Sequence, residues 1–295
     1  MRYEGVVYRP PSEAGSLIIQ ATLACPHNKC AFCGMYKGRK FRVRAVEEVI
    51  EDLDIALHVH GRDGVHTIFL ADGNTAVLPA EKLVAIGEAA KARFPGLQRI
   101  TMYGSAKFLV KKSLDEWRRV AEAGITRIHS GLESGDAETL RSINKGVTPD
   151  EAVEAYRHVM SAGIELSAYI MVGVAGTERW REHALGSADV LNQAPPSFVR
   201  LRTFVPQPGT PWHDRWAQRE LSLLSAHEAL QETRLLIEHL QGPTALLSDH
   251  VSNFLDVHGR LPEDQAAMLA QIDEALRWPI KRFRPPTEHL VGLGL

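Results

Sequence analysis

Two hydrophobic periods alternate along the chain. Short apolar runs rich in β-branched residues are followed by longer stretches in which apolar residues recur every three to four positions. SLIIQAT (16–22) predicts the first strand, and 46–61 predicts the helix after it. HTIFLAD (66–72), LQRITMYGS (97–105), TRIHSGLES (126–134), ELSAYIMVGV (165–174) and FVRLRTFVP (198–206) predict five further strands. Helices are expected over 80–94, 113–124, 148–163 and 178–193. Helix ends are written in the local chemistry: Ser113 with Glu116 and Thr148 with Glu151 have the spacing of capping boxes, and Gly124 and Gly163 stand just past helix ends. Beyond the sixth strand, 225–240 and 262–277 read as helices separated by Gly242-Pro243.

Six strand–helix repeats imply a parallel sheet covered by helices. Such a series can form a doubly wound open sheet or an incomplete barrel, and periodicity does not choose between them. The reading divides the chain into an N-terminal arm (1–15), an α/β core (16–215) and a C-terminal helical extension (216–295) that packs on the core. With 295 residues, 44% of them hydrophobic, the chain can bury one large core or two modest ones. A net charge of −2 gives no general attraction to nucleic acid or to an anionic membrane. No apolar run approaches the roughly 18–20 residues of a membrane span, and MRYEGVVYRPPSEAG lacks the pattern of a signal peptide. A cytoplasmic protein is expected.

Cysteine use changes this bland picture. The three cysteines, Cys25, Cys30 and Cys33, all fall in CPHNKCAFC. An odd number in one cluster argues against a disulfide framework and leaves a metal site, a redox site or ordinary thiols. Thiolates at these spacings, in a loop directly after a strand, can converge on one metal centre. Three of them would leave one iron of a cluster open to a small molecule, whereas His27 as a fourth ligand would make a zinc site. The loop follows the first strand, and parallel α/β proteins build their active sites at that end of the sheet.

Three cysteines after the first strand, with Phe32 directly before the third, resemble the cluster loop of the radical S-adenosylmethionine superfamily. The usual spacing in that family is three residues and then two; here it is four and then two. The resemblance implies a [4Fe-4S] cluster on Cys25, Cys30 and Cys33, with S-adenosylmethionine chelating the open iron. ADGN (71–74) stands where the family binds the methionine amino group, which implicates Asp72, Gly73 and Asn74. GLESG (131–135) resembles a segment of the branch containing the oxygen-independent coproporphyrinogen oxidases, the methylthiotransferases and the Elongator catalytic subunit, and puts Glu133 on the ribose. INKG (143–146) is similar to that branch too. MVGVAG (171–176), beginning at Met171, would lie against the adenine. Arg202 would meet the S-adenosylmethionine carboxylate or a substrate anion, and Ser105, in YGSAK (103–107), would line the cavity. The resemblance covers roughly 16–211 and favours the partial six-stranded TIM-like barrel, a (βα)6 core, over the doubly wound sheet.

It also implies an enzyme that cleaves S-adenosylmethionine reductively and abstracts hydrogen from a small or medium organic substrate. Two other classes stay open: a haem- or cofactor-binding chaperone of the same fold, and a zinc-stabilised binding protein. KGRKFRVR (37–44) carries five basic residues in eight. It reads as a solvated connection or as a dock for an acidic electron donor such as flavodoxin or ferredoxin. His129 shares a side of its strand with Glu133 and reads as a lining histidine. Asp249, His250 and Asn253 form a polar trio that either closes over substrate or makes a surface turn. With every thiol in the loop, no cysteine is left for a second cluster or for accepting a methyl group.

Overall fold

The computed structural model describes residues 1–283; the last part of the expected C-terminal extension, 284–295, lies outside the described residues. In chain order the strands are β1 (Leu17–Gln20), β2 (Thr22–Leu23), β3 (Arg42–Val43), β4 (Thr67–Ala71), β5 (Arg99–Tyr103), β6 (Ile125–Glu133), β7 (Glu165–Val172), β8 (Phe198–Thr203), β9 (Thr244–Leu247) and β10 (His258–Leu261). The helices are α1 (Val46–His60), α2 (Ala80–Arg93), α3 (Ala106–Leu109), α4 (Leu114–Glu122), α5 (Ala137–Ser142), α6 (Pro149–Ser161), α7 (Gly176–Gln193), α8 (Pro211–Ala217), α9 (Ala226–His239) and α10 (Gln265–Ala275). The chain divides into two compact units. The first holds 1–28, 36–130 and 154–166; the second holds 29–35, 131–153 and 167 onward.

In the first unit, β1, β4, β5 and β6 run parallel, with Leu17 opposite Ile68, Ile68 opposite Ile100, and Met102 opposite Ile128. Ile68, Leu70, Ile100, Met102 and Ile128 are fully buried, as are Leu53, Leu83 and Trp117 of the covering helices. Helix α4 starts where its capping box predicts: Ser113 accepts from Glu116 N, and the Glu116 side chain accepts from Ser113 N. The arm before β1 makes a short 3-10 turn, Pro11–Glu13, that places Glu13 at full burial. There Glu13 accepts from Ser16 Oγ at 2.6 Å and lies 3.5 Å from both Arg99 and His129. Burial alone would raise its carboxyl. The hydrogen bonds from His129 and Ser16 and the charge of Arg99 outweigh that and hold it at about 2.

In the second unit, β7, β8 and β9 are parallel and β10 pairs antiparallel with β9. The expected Thr148–Glu151 box opens α6: Thr148 N donates to Glu151 Oε2 at 2.8 Å, and Glu151 N donates to Thr148 Oγ1 at 3.2 Å. Helices α7 and α9 pack on each other, and α9 packs on α10.

The region after 216 differs from the helical extension expected. Thr244–Leu247 adds a further parallel strand beside β8, and His258–Leu261 returns along it. Four-residue strands after Gly242-Pro243 are too short for a periodicity to register. Short α3, α5 and α8 also escaped the pattern, each being under two turns or little more. No helix among the described residues is long and apolar enough to cross a membrane.

Candidate functional site

The cysteine window is shared between the units: Cys25 belongs to the first, Cys30 and Cys33 to the second. None of the three is in a disulfide, and all are half-buried. Cys25 is bracketed by two non-glycine residues in the left-handed region, Ala24 (φ 63°) and Asn28 (φ 41°). Such backbone persists only where its surroundings enforce it. Asn28 N donates to Cys25 Sγ at 3.5 Å, and its side-chain amide donates to the Tyr36 carbonyl at 2.7 Å. In the second unit, backbone bonds hold the other two cysteines. Ala31 N donates to Ile143 O at 2.8 Å, Trp212 N to Ala31 O at 3.1 Å, and Asn144 Nδ2 to Lys29 O at 3.1 Å. Gly34 N donates to Gln207 Oε1 at 3.0 Å.

The turn after β4 packs onto Cys25. A Cβ on Gly73 would stand 2.9 Å from Cys25 Cβ and 2.7 Å from Tyr36 Cε2, so only glycine permits this approach. Asp72 just before it is left-handed (φ 78°) and almost fully buried. Its Oδ2 accepts from Gln20 Nε2 at 2.8 Å, and its Oδ1 is 3.4 Å from the Tyr36 hydroxyl. Burial pushes the Asp72 carboxyl up to about 6, against the hydrogen bonds from Gln20, Tyr36 and the Ala24 amide. Burial and this carboxylate together raise the Tyr36 phenol. Asn74 accepts from Ser105 N at 3.1 Å through Oδ1, while its Nδ2 is buried without a protein acceptor. That orphaned donor is what a ligand oxygen would satisfy. Cys25, Asp72, Gly73, Asn74 and Ser105 are thus brought together in the first unit.

Glu133 ends β6 in the same unusual backbone region (φ 68°). Its carboxylate folds back over Gly131, where any Cβ would collide with Oε1. Lys145 of INKG donates to Oε1 at 3.0 Å, and both side chains are nearly buried. The Lys145 ammonium also lies 5.9 Å from the Phe32 ring centroid, so Glu133, Lys145 and Phe32 form one group in the second unit. Next to Glu133, a fully buried chain of polar contacts ties strand ends to helices. Ser134 Oγ lies 2.8 Å from His183 Nδ1, His183 Nε2 lies 3.2 Å from Glu232 Oε1, and Gly173 N donates to Glu232 Oε1 at 2.9 Å. Met171 and Arg202 face each other across β7 and β8.

Several participants escaped the sequence reading. Gln20 was visible as a polar residue inside an apolar strand. Tyr36, His183 and Glu232 carried no local signal, because their partners are distant in sequence, and INKG marked Lys145 without naming Glu133 as its partner. His129 is buried beside Glu13, in keeping with a lining histidine. The trio after 248 is not a free surface turn. Asn253 donates to Leu201 O at 2.9 Å, and its Oδ1 accepts from Thr203 Oγ1 at 3.0 Å, both on β8. The basic run is not one solvated patch either. Arg44 is buried and donates to Asp52 Oδ2 at 2.6 Å and to Gln20 O at 2.8 Å, and Arg42 pairs with Glu4.

Three cysteines in one short loop, none in a disulfide, suit the chemistry of an iron–sulfur cluster, whose thiolates sit on separate irons and need not meet at one point. Among the described residues no three His, Cys, Asp or Glu are grouped so that they could hold one ion. His27, the fourth zinc ligand considered, has Nδ1 3.2 Å from Lys107 Nζ.

The profile of the Radical SAM superfamily matches residues 19–186. An uncharacterized methyltransferase of Pyrococcus horikoshii is 23% identical over 200 residues, covering 65% of this chain and 40% of that protein. Biotin synthase of Corynebacterium glutamicum is 26% identical over 292 residues, covering 91% of this chain and 81% of that protein. Coproporphyrinogen III oxidase of Escherichia coli, a solved structure, superposes with a TM-score of 0.54 at 16% identity, over 88% of this chain and 69% of that one. The structural likeness is one of fold, and it places the chain in the α/β class with the partial TIM-like barrel expected from the sequence. The chain spans less than half the length of the Pyrococcus relative.

Proposed function

The chain belongs to the radical SAM superfamily, whose members use a [4Fe-4S] cluster and S-adenosylmethionine, and on that premise we propose that it is a radical SAM enzyme acting on a small or medium organic substrate. When bound, the reduced cluster and S-adenosylmethionine supply a 5′-deoxyadenosyl radical that abstracts a hydrogen atom; the protein's task is to bind, orient and shield.

One observation carries the residue assignments: Gly73 lacks the Cβ that would push the ADGN turn off Cys25. A carboxylate, a buried unsatisfied amide donor and a cysteine are thereby held beside one another. Cys25, Cys30 and Cys33 would hold the cluster, with Phe32 beside the third. Asp72 would accept from the methionine ammonium, Asn74 Nδ2 would donate to an oxygen of the same end, and Gly73 and Ser105 would complete that wall. Glu133 would accept from the ribose hydroxyls, held in place by Lys145. Backbone from Met171 onward would meet the adenine, with the Gly173 amide kept in position by Glu232. Reduction needs an electron carrier. With Arg44 buried against Asp52 and Arg42 paired with Glu4, the exposed Arg39 and Lys40 are the part of the basic run that an acidic flavodoxin or ferredoxin would meet.

Anaerobic reconstitution with iron and sulfide, followed by dithionite reduction with S-adenosylmethionine, tests the reading. The expected result is about four irons per chain and 5′-deoxyadenosine that disappears in Cys30→Ala. Zinc without sulfide, or a reconstituted cluster that leaves S-adenosylmethionine intact, overturns it.

A further inference from the structure

Strand β8 turns Arg200 and Arg202 to one face and the fully buried Val199 and Leu201 to the other. Arg200 donates from Nε to Ser167 Oγ at 3.2 Å, and the Arg202 guanidinium lies 5.0 Å from the Tyr169 ring centroid. Among the described residues neither guanidinium meets a carboxylate. Arg99 on β5 and Arg127 on β6, also half-buried, each have one. Two permanent charges two residues apart on a half-buried face repel each other and are partly desolvated, which an anion would relieve.

A third donor lies on the segment that bonds to the end of the same strand, where Asn253 Nδ2 donates to Leu201 O at 2.9 Å. Ser252 N donates to His250 Nδ1 at 3.2 Å. Ser252 Oγ accepts from Thr203 N at 3.1 Å and lies 2.8 Å from the same Nδ1, so its own hydrogen points there as well. Nδ1 is therefore an acceptor, and the neutral ring carries its hydrogen on Nε2. Burial, and then the charge of Arg202, keep the ring neutral by pushing it down to about 4, against the smaller upward pull of the Asp249 carboxylate.

We propose that Arg200, Arg202 and His250 form a receptor for an oxyanion, carboxylate or phosphate, carried by the substrate. This deepens the enzyme reading above and names the class of its substrate. Guanidinium forks match both anions in two-point geometry, and the histidine adds a donor without adding a second repelling charge.

The test is calorimetric titration of the anaerobically reconstituted full chain with inorganic phosphate and with succinate at low salt, each with and without S-adenosylmethionine. Arg202→Met and Arg200→Met are each expected to weaken binding of the preferred probe by about tenfold or more, the loss of a charged hydrogen bond. Arg202→Lys should recover part of the loss, and the affinity for S-adenosylmethionine should stay within about twofold. Failure of the wild type to bind either probe, or equal binding by both Met variants, overturns the receptor. Loss of S-adenosylmethionine affinity in Arg202→Met with probe binding intact also overturns it and gives the cation to the cofactor's carboxylate. These readouts need no turnover, so a protein that binds the probes and never cleaves S-adenosylmethionine refutes the radical reading alone.

Discussion

Replacing Gly73 with alanine probes the contact between the ADGN turn and the first cysteine. The added Cβ would stand 2.7 Å from Tyr36 Cε2 and 2.9 Å from Cys25 Cβ. Ordinary carbon contacts begin near about 3.5 Å, so the ring must yield about 0.8 Å and the cysteine about 0.6 Å. Neither can move freely. Tyr36 is 3% exposed and packs edge-on against Tyr8, with ring centroids 5.6 Å apart. Cys25 sits between two left-handed residues. Overpacking of this kind costs about 1–3 kcal/mol, roughly 5- to 160-fold in the population of the packed arrangement. Gly73→Ala should therefore reconstitute with less iron at limiting iron and sulfide, and should bind S-adenosylmethionine more weakly. Trimming the ring tests the geometry itself. In Gly73→Ala/Tyr36→Leu the clash with the ring is gone, and iron content and affinity should recover part of the loss, giving a favourable coupling of about 0.5–3 kcal/mol in the double-mutant cycle. Iron assay, titration with S-adenosylmethionine and urea unfolding of the four proteins supply the numbers. A Gly73→Ala protein that loads and binds like wild type, or a cycle with zero coupling, would refute the reasoning.

Glu13 offers a prediction with a sign in pH. Its folded pKa, about 2, lies below the unfolded value of 4.5, so the carboxylate contributes stability above pH 4.5 that is lost as pH falls through 2. The gap corresponds to about 3 kcal/mol; Glu13→Gln should lower unfolding stability by up to that amount at neutral pH, and the deficit should shrink on acidification below about pH 5. A deficit independent of pH would show that the charge is not what matters. The Arg44–Asp52 pair, 3% and 2% exposed, should behave as a buried ion pair: Asp52→Ala should cost about 3–5 kcal/mol in urea unfolding, because it strands the Arg44 charge, and Arg44→Met/Asp52→Leu should recover most of it. If the double variant is as unstable as the single one, the stranded charge is not the cause.

Much of the site could be read from the chain because its parts are short and local. ADGN, GLES and MVGVAG each sit where an apolar run stops, and strand ends follow from period-two patterning and burial. β4 stops at Ala71, β6 at Glu133 and β7 at Val172, each at its motif. Capping boxes at Ser113 and Thr148 were legible for the same reason, since their partners lie three residues away. What stayed hidden involves partners far apart in the chain. Nothing near Lys145 says that its ammonium will meet Glu133, and nothing near His183 says that it will stand between Ser134 and Glu232. The basic run shows the opposite failure: a stretch that composition makes a surface patch contains Arg44, which β3 and α1 carry into the interior opposite Asp52.

The sequence by itself determined the alternation of strand and helix through β8, and its resemblance to a known superfamily implied the cofactors. Thiol content, strand-end glycines and hydrophobic period are properties of neighbouring residues and need no fold to be seen. Tertiary structure alone decided which charges are spent and which are left over. Arg42, Arg44, Arg99 and Arg127 all find carboxylates, whereas among the described residues Arg200 and Arg202 do not. It also decided that 244–247 extends the sheet rather than a helical tail. Pairing of charges and of strands is settled by long-range packing, where burial forces each polar group to find a partner or wait for a ligand.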